Sequence, residues 1–325
     1  MTSGSPEVPS PQLSAALVTF AERPPADWSS MLDTARLYDR VGIDRLVVSD
    51  HVVFGEALDA YARPEVGGQS GGRQPTGPDG HWLEPLTTLS VIAGTTTRVR
   101  LATGILIAAL RRPVVLAKAA ATLDVLSGGR LDLGVGVGWQ REEYEAAGLD
   151  FDGRGRMLDH TLEVCSALWT QSTAQYRSPE LDFERIHMMP KPHQPFGVPI
   201  WVSGRINAPV VRRVSRFGRR WIPWGEDATD LERSIPEMRA RIAAAGASPD
   251  GLQVVANLRV FAMDDGTFDI ERTMTQVPPL IAAGATDFLM RPRIRACDAE
   301  TEAGLRDLVA GFRLAAGRES PPAAD

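Results

Sequence analysis

The stretch from Leu116 to Gly148, LAKAAATLDVLSGGRLDLGVGVGWQREEYEAAG, decides the fold. Leu116, Ala120, Leu123 and Leu126 recur at helical spacing and predict a helix over 116–126. Ser127-Gly128-Gly129 stops that helix, because glycine adopts the backbone that a sharp exit needs. Arg130 to Gly136 reads as a strand with Leu131, Leu133 and Val135 on one side, ending in Gly136-Val137-Gly138-Trp139. Helix, glycine turn, strand and glycine-rich strand end make one crossover unit of a parallel α/β fold. The terminal glycines mark bare backbone against which a ligand can press. The run lacks the third glycine of the dinucleotide fingerprint, and the chain has no GxxxxGK[ST] phosphate loop.

Working outward, the same alternation repeats. Strands are expected at Ala15–Phe20, Asp44–Ser49, Val99–Ile107, Arg130–Gly136, Ile200–Ser203, Arg220–Trp224, Leu252–Ala262 and Thr286–Arg291. Helices are expected at Trp28–Val41, Glu84–Thr95, after Pro113, at Asp152–Trp169, Ala208–Phe217, Leu231–Ala245, Ile270–Ala283 and Thr301–Ala316. Strict alternation argues a parallel sheet, and eight such units in 325 residues favour a closed barrel over an open sheet. Two irregular excursions interrupt the pattern, Gly55–Trp82 and the proline-rich Thr170–Val198; the first reads as a partly ordered lid. Neither a repeat nor a linker is visible. We expect one domain over 13–316, between a mobile tail at 1–12 and a C-terminal tail at 317–325.

Composition bounds the function. The chain is 43% apolar and 23% charged, as soluble globular proteins are. Its net charge of −6 argues against nucleic-acid binding. No run reaches the length of a membrane helix, and MTSGSPEVPSPQ lacks the basic start and apolar core of a signal peptide. Cys165 and Cys297 show no metal spacing and are expected as buried free thiols, which points to a reducing cytoplasm. His81, His160, His187 and His193 have no ligand spacing, and no metal site is expected.

In a parallel barrel the ligand site lies at the strands' C-terminal ends. Phe20, His51, Thr103–Ile105, Gly136–Trp139, Ser203-Gly204, Ile222–Trp224 and Arg291 then converge. His51 is the acid–base candidate, because its ordinary pKa lies near neutrality. Asp50 is a candidate to orient it, to accept from the polar edge of a bound cofactor ring, or to serve as a helix cap or loop carboxylate; Trp139 is a candidate to stack near a cofactor, to wall the pocket, or to be core. Glu142 and Glu143 read as a solvated helix start. Arg212, Arg213 and Arg216 read as solvated residues favouring the negative end of a helix. Arg205 is a candidate phosphate contact.

The words LSGGRLDLGVGVGW, EEY and AAGLDF resemble the luciferase-like flavin and deazaflavin oxidoreductases, and the likeness runs from about Leu13 to about Leu314. The resemblance implies a (β/α)8 TIM barrel with insertion loops at its C-terminal face. It implies an active-site histidine at His51, beside Asp50, and a bulged third strand whose non-proline cis peptide, Gly104–Ile105, backs the cofactor ring next to Thr103. It implies that Gly136, Val137, Gly138 and Trp139 line the ring's edge, and that Ser203, Gly204, Arg205, Ile222 and Pro223 lie on the phosphate side. There the chain departs from many relatives, with Ser203-Gly204 for Gly-Gly and Gly218-Arg219-Arg220-Trp221 for Gly-Asp-Gly-Trp. The resemblance implies an oxidoreductase passing a hydride between coenzyme F420 and a small, hydrophobic carbonyl or unsaturated substrate. An FMN-dependent monooxygenase and a non-catalytic flavin-binding barrel are the alternatives. A cytoplasmic homodimer acting on a small molecule is expected, with no membrane or nucleic-acid partner.

Overall fold

The computed structural model describes residues 10–318. The two expected tails lie largely outside that range, although Gln12, assigned to the first of them, already stands in a strand. The parallel strands are β1 (Gln12–Ala16), β2 (Arg45–Val48), β3 in two pieces (Arg100–Thr103 and Leu106–Ile107), β4 (Leu131–Gly136), β5 (Ile200–Gly204), β6 (Arg220–Pro223), β7 (Gln253–Leu258) and β8 (Asp287–Met290). The helices used below are α1 (Ser29–Val41), α2 (Pro85–Ala93), α3 (Pro113–Leu126), α4 (Arg141–Ala146), α5 (Arg154–Thr170) and α6 (Ala208–Phe217). Contacts divide the chain into two compact units.

One unit holds the residues before Val18, Asp27–Val47 and the chain from Gly204 onward. In it β1 pairs in parallel with β8 and β2, and β7 pairs with β8 and β6. Leu13, Ala15, Leu46, Val254, Ala256, Phe288 and Met290 are buried along these strands, as the alternation requires. A polar cluster ties three strand starts together. Asp287 accepts from the Ser14 hydroxyl at 2.7 Å and forms a buried ion pair with Arg45. Gly42, with φ +86°, ends α1 in the left-handed conformation.

The other unit holds Val18–Ala26 and Val48–Ser203. Both pieces of β3 pair with β4, and so does β5. Leu131–Gly136 is buried throughout, the expected state of a parallel strand covered on both faces. α3 packs on α5, where the Trp169 indole N–H donates to the Ala117 carbonyl at 2.9 Å. The Arg130 guanidinium donates to the carbonyls of Ala93, Thr96, Val99 and Ser127, closing the turns that lead into β3 and β4.

Several expectations are corrected. The first strand lies at Gln12–Ala16 instead of Ala15–Phe20, because pairing with β2 and β8 sets its register; Phe20–Ala21 instead pairs antiparallel with His81–Trp82. The excursion Thr170–Val198 is not irregular throughout: Ala174–Arg177 and Asp182–Ile186 form an antiparallel hairpin. The helix expected over 270–283 is two, Ile270–Met274 and Val277–Ala283. Cys165 is buried, but Cys297 is exposed. Arg213 is buried, unlike the exposed Arg212 and Arg216 on the same helix. No described helix is long and apolar enough to cross a membrane.

Asp287→Ala removes the carboxylate from buried Arg45. The expected loss is about 3–5 kcal/mol of stability, measured as a fall in the urea unfolding midpoint. A variant as stable as the parent would overturn the role given to this pair.

Candidate active site

The segment after β2 is held from two sides within its own unit. Asp50 is buried, and its carboxylate accepts from the Ile107 backbone N–H at 2.8 Å and from both Arg111 terminal nitrogens at 2.6 and 3.0 Å. Arg111 also donates to Glu84 at 3.0 Å. Burial works against the Arg111 charge, but Asp50 and Glu84 outweigh it and hold the guanidinium pKa above its usual value. Burial likewise pushes Glu84 up, yet hydrogen bonds from the Thr87 N–H and Arg111 leave its carboxyl below the ordinary 4.5. Asp50 therefore does not orient His51, as the sequence allowed; it joins the ends of β2 and β3.

His51 is oriented from α4. Its Nδ1 lies 3.3 Å from Oε2 of Glu143, whose Oε1 accepts from the Val52 N–H at 2.8 Å. Glu143 is 1% exposed, which corrects its reading as a solvated helix residue. Nothing local in the sequence announces this pair, since the partners stand 92 residues apart. Gln140, fully buried, completes the clamp with its amide oriented to accept from the Gly55 N–H and donate to the Val53 carbonyl. The Tyr144 hydroxyl donates to the Val137 carbonyl at 2.6 Å, and burial pushes that phenol's pKa well up.

Aromatic rings surround the imidazole. Its centroid lies 4.4 Å from Phe54, 4.9 Å from Trp82 and 5.9 Å from Trp139, the last two edge-on. Phe20 stacks on Trp82 at 4.3 Å, and Tyr61 lies 5.3 Å from Trp139. The Phe20–Ala21 pairing with His81–Trp82 brings the ends of the first excursion onto this cluster. Nε2 of His51 makes no hydrogen bond among the described residues, and the buried Trp139 indole N–H has no partner there either.

Between the two pieces of β3 the Gly104–Ile105 peptide is cis, as the resemblance implied. Gly104 is exposed and Ile105 half-buried, whereas Thr103 and Leu106 are buried. The Thr103 hydroxyl donates to the Gly134 carbonyl at 2.7 Å and the Gly104 N–H to Val48 at 2.7 Å. The glycines at and just beyond the end of β4 also have a packing cause. A Cβ on Gly136 would come within 2.9 Å of Ile105 Cδ1, and one on Gly138 within 3.2 Å of Ile107 Cδ1. These glycines make room for β3 side chains, while Val137 and Gly138 are half-buried and Gly104 on β3 is exposed.

In the other unit, a cavity of about 520 Å³ opens between the segment leading into α6 and the helical residues 226–237 that follow β6, lined by Arg205, Asn207, Glu226, Asp227 and Arg233 among others. Asn207 caps α6 by accepting from the Val210 N–H at 2.9 Å. Asp227 accepts from the Ile206 N–H and from Arg233, both at 2.7 Å. Exposed Arg205 makes no ion pair among the described residues. The Gly204 carbonyl accepts from Trp221 at 2.9 Å, Ser203 and Ile222 are half-buried, and Pro223 is buried. Arg291 donates to Asn257 at 3.0 Å and is exposed.

Residues 10–267 match the model of the luciferase-like monooxygenase family, and the chain belongs to that family. An uncharacterized protein of Mycobacterium tuberculosis is 34% identical over 183 residues, 56% of this chain and 64% of that protein, so the match spans less than two thirds of the relative's length. An F420-dependent glucose-6-phosphate dehydrogenase of Kineococcus radiotolerans is 28% identical over 211 residues, 63% of this chain and 61% of its own. The oxygenase component of a flavin-dependent trigonelline monooxygenase from Acinetobacter baylyi is 32% identical over 123 residues, 37% and 34% of the two chains. Among solved structures, a long-chain alkane monooxygenase superposes with a TM-score of 0.73 at 15% identity, covering 98% of this chain and 94% of its own. An F420-dependent secondary alcohol dehydrogenase, solved with an F420-acetone adduct, gives 0.69 at 15%, covering 94% and 99%. The shared fold is the closed eight-stranded parallel β/α barrel. The family includes F420-dependent dehydrogenases and flavin-dependent monooxygenases.

Glu84→Gln keeps an acceptor at the α2 cap and removes the charge. Because the folded pKa of Glu84 is depressed, its stabilisation is present above the ordinary 4.5 and is lost as pH falls through the lower folded value. The variant should be less stable than the parent near neutral pH, with the gap closing in acid. A gap unchanged by pH in denaturation curves would refute the assignment.

Proposed function

We propose that this protein is an F420-dependent oxidoreductase that moves a hydride between the deazaflavin and a hydrophobic carbonyl-bearing or unsaturated small molecule. His51 carries the reading: an imidazole fixed at Nδ1, with Nε2 unengaged inside a wall of aromatic side chains. The F420-dependent relative, aligned over 63% of the chain against 37% for the flavin-dependent oxygenase, supports the choice of cofactor.

The residues present fit such a group. The exposed Gly104 and half-buried Ile105, between the two pieces of β3, offer accessible backbone against a ring. Thr103, Gly104, Ile105 and Trp139, all of one unit, are proposed for the ring. When bound, the deazaflavin supplies a carbon that gives or takes a hydride. The chain does the rest. Phe54, Trp82 and Trp139 exclude water and accept apolar substrate surface. His51 donates a proton to the substrate oxygen as a carbonyl is reduced, and takes it back in the reverse direction.

A second reading, an FMN-dependent monooxygenase, is favoured by the 32% identity to the trigonelline oxygenase. The homodimer expected from the resemblance is a further proposal, to be read by light scattering.

Titrating the purified protein with oxidised F420 and with FMN, followed by fluorescence, separates the two. Micromolar or tighter binding of F420 in preference to FMN is expected; the reverse preference would put the monooxygenase first. With a turned-over ketone or alcohol in hand, His51→Ala should lower kcat by about 10²–10⁴-fold while F420 affinity changes little.

A further inference from the structure

We propose that Glu143 is a positioning residue that sets the tautomer of His51. It holds the imidazole proton on Nδ1 and so leaves Nε2 as the atom that exchanges a proton with substrate. The proposal rests on the proton-transfer role given to His51 above, but its first test does not.

The argument is one of donors and acceptors. An ionised carboxylate accepts only. One oxygen of Glu143 is held by the Val52 backbone N–H at 2.8 Å, a donor that cannot change. The other faces Nδ1 at 3.3 Å, so Nδ1 must carry the hydrogen for the contact to be attractive. Glu143 is 1% exposed, and water does not replace it as a partner. Among the described residues no other carboxylate hydrogen-bonds His51. Asp50, the neighbour in sequence, is turned onto Ile107 and Arg111, and Glu84 lies on the far side of Arg111. Phe54, Trp82 and Trp139 present ring carbons, edges and faces, not acceptors. Tyr144, next to Glu143 on α4, donates its hydroxyl to Val137. The imidazole therefore has one strong polar anchor, and it lies on the side away from Nε2.

The amide substitution inverts this polarity. In Glu143→Gln the single carbonyl oxygen satisfies the Val52 N–H, so the NH₂ faces Nδ1. The neutral imidazole must then offer a lone pair there and move its proton to Nε2. A structural role for Glu143 predicts loss of stability but no such exchange.

The test uses the whole protein labelled with ¹⁵N-histidine, with His51 assigned by comparison with His51→Gln. At a pH where His51 is neutral, the ¹⁵N shifts should report Nδ1–H in the parent and Nε2–H in Glu143→Gln. Glu143→Asp, which keeps two acceptor oxygens on a shorter arm, should retain Nδ1–H. With F420 and a turned-over substrate, Glu143→Gln should lose about 10²-fold or more in kcat at unchanged F420 affinity, and Glu143→Asp should recover part of it; a wrong tautomer in a hydrolase triad has an effect of this kind. An Nε2–H tautomer in the parent, or an unchanged tautomer in Glu143→Gln, would overturn the proposal, and the parent measurement stands even if the variant does not fold. The expected tautomers together with no hydride transfer to or from F420 would sustain the positioning role and overturn the functional reading instead.

Discussion

The buried carboxylate of Asp50 is the constraint on which the rest of the site depends. It accepts a backbone N–H from the second piece of β3 and two hydrogen bonds from Arg111, so the segment after β2 and the one that ends β3 meet on one side chain. A charge buried this deeply is tolerated only when paired and fully hydrogen-bonded, and Arg111 supplies both. The chain leaving β2 is thereby pinned, and the next residue, His51, has a fixed starting point. Arg111 is in turn steadied by Glu84, the cap of α2, so helix packing and site geometry are linked through one guanidinium.

Aromatic packing and the clamp from α4 then narrow the remaining freedom of His51. Rings contribute shape and exclude water but cannot direct a proton; only the Glu143 carboxylate does that. The division of labour explains why so apolar an enclosure contains a buried acid. It also gives α4 a role beyond finishing the turn after β4: Gln140 and Glu143 reach back to the segment Val52–Gly55 and hold it closed. Gly55 fits this arrangement, since a Cβ there would come within 2.3 Å of Glu142 Cγ.

The cavity at the start of α6 illustrates a different balance. Of its acidic lining, Asp227 is engaged with Arg233 and the Ile206 N–H, and Asp230 and Glu237 share the same guanidinium. Arg205, without such a partner among the described residues, keeps its charge available. Local pairing, more than the count of acidic and basic residues, sets the character of that surface.

Alternation of short apolar strands with amphipathic helices is a local property, and it was enough to reveal the parallel barrel, the place of each strand within a few residues, and His51 at a strand end. The break in β3 at Gly104 was also legible, through resemblance. The rest depended on contacts between residues far apart in sequence. The first strand's register follows from its two neighbours, and the hairpin of Ala174–Arg177 and Asp182–Ile186 from cross-strand pairing that no periodicity announces. Gly136 also makes room for Ile105, a packing reason that spacing does not announce. Asp50 read as a partner of the adjacent histidine and proved to bind Arg111; Glu143 read as solvated and proved to be that partner. Spacing fixes which face of an element is apolar, but it cannot say which buried charge will meet which donor. That choice is made only when the folded chain removes water and leaves each polar atom to the nearest partner the packing allows.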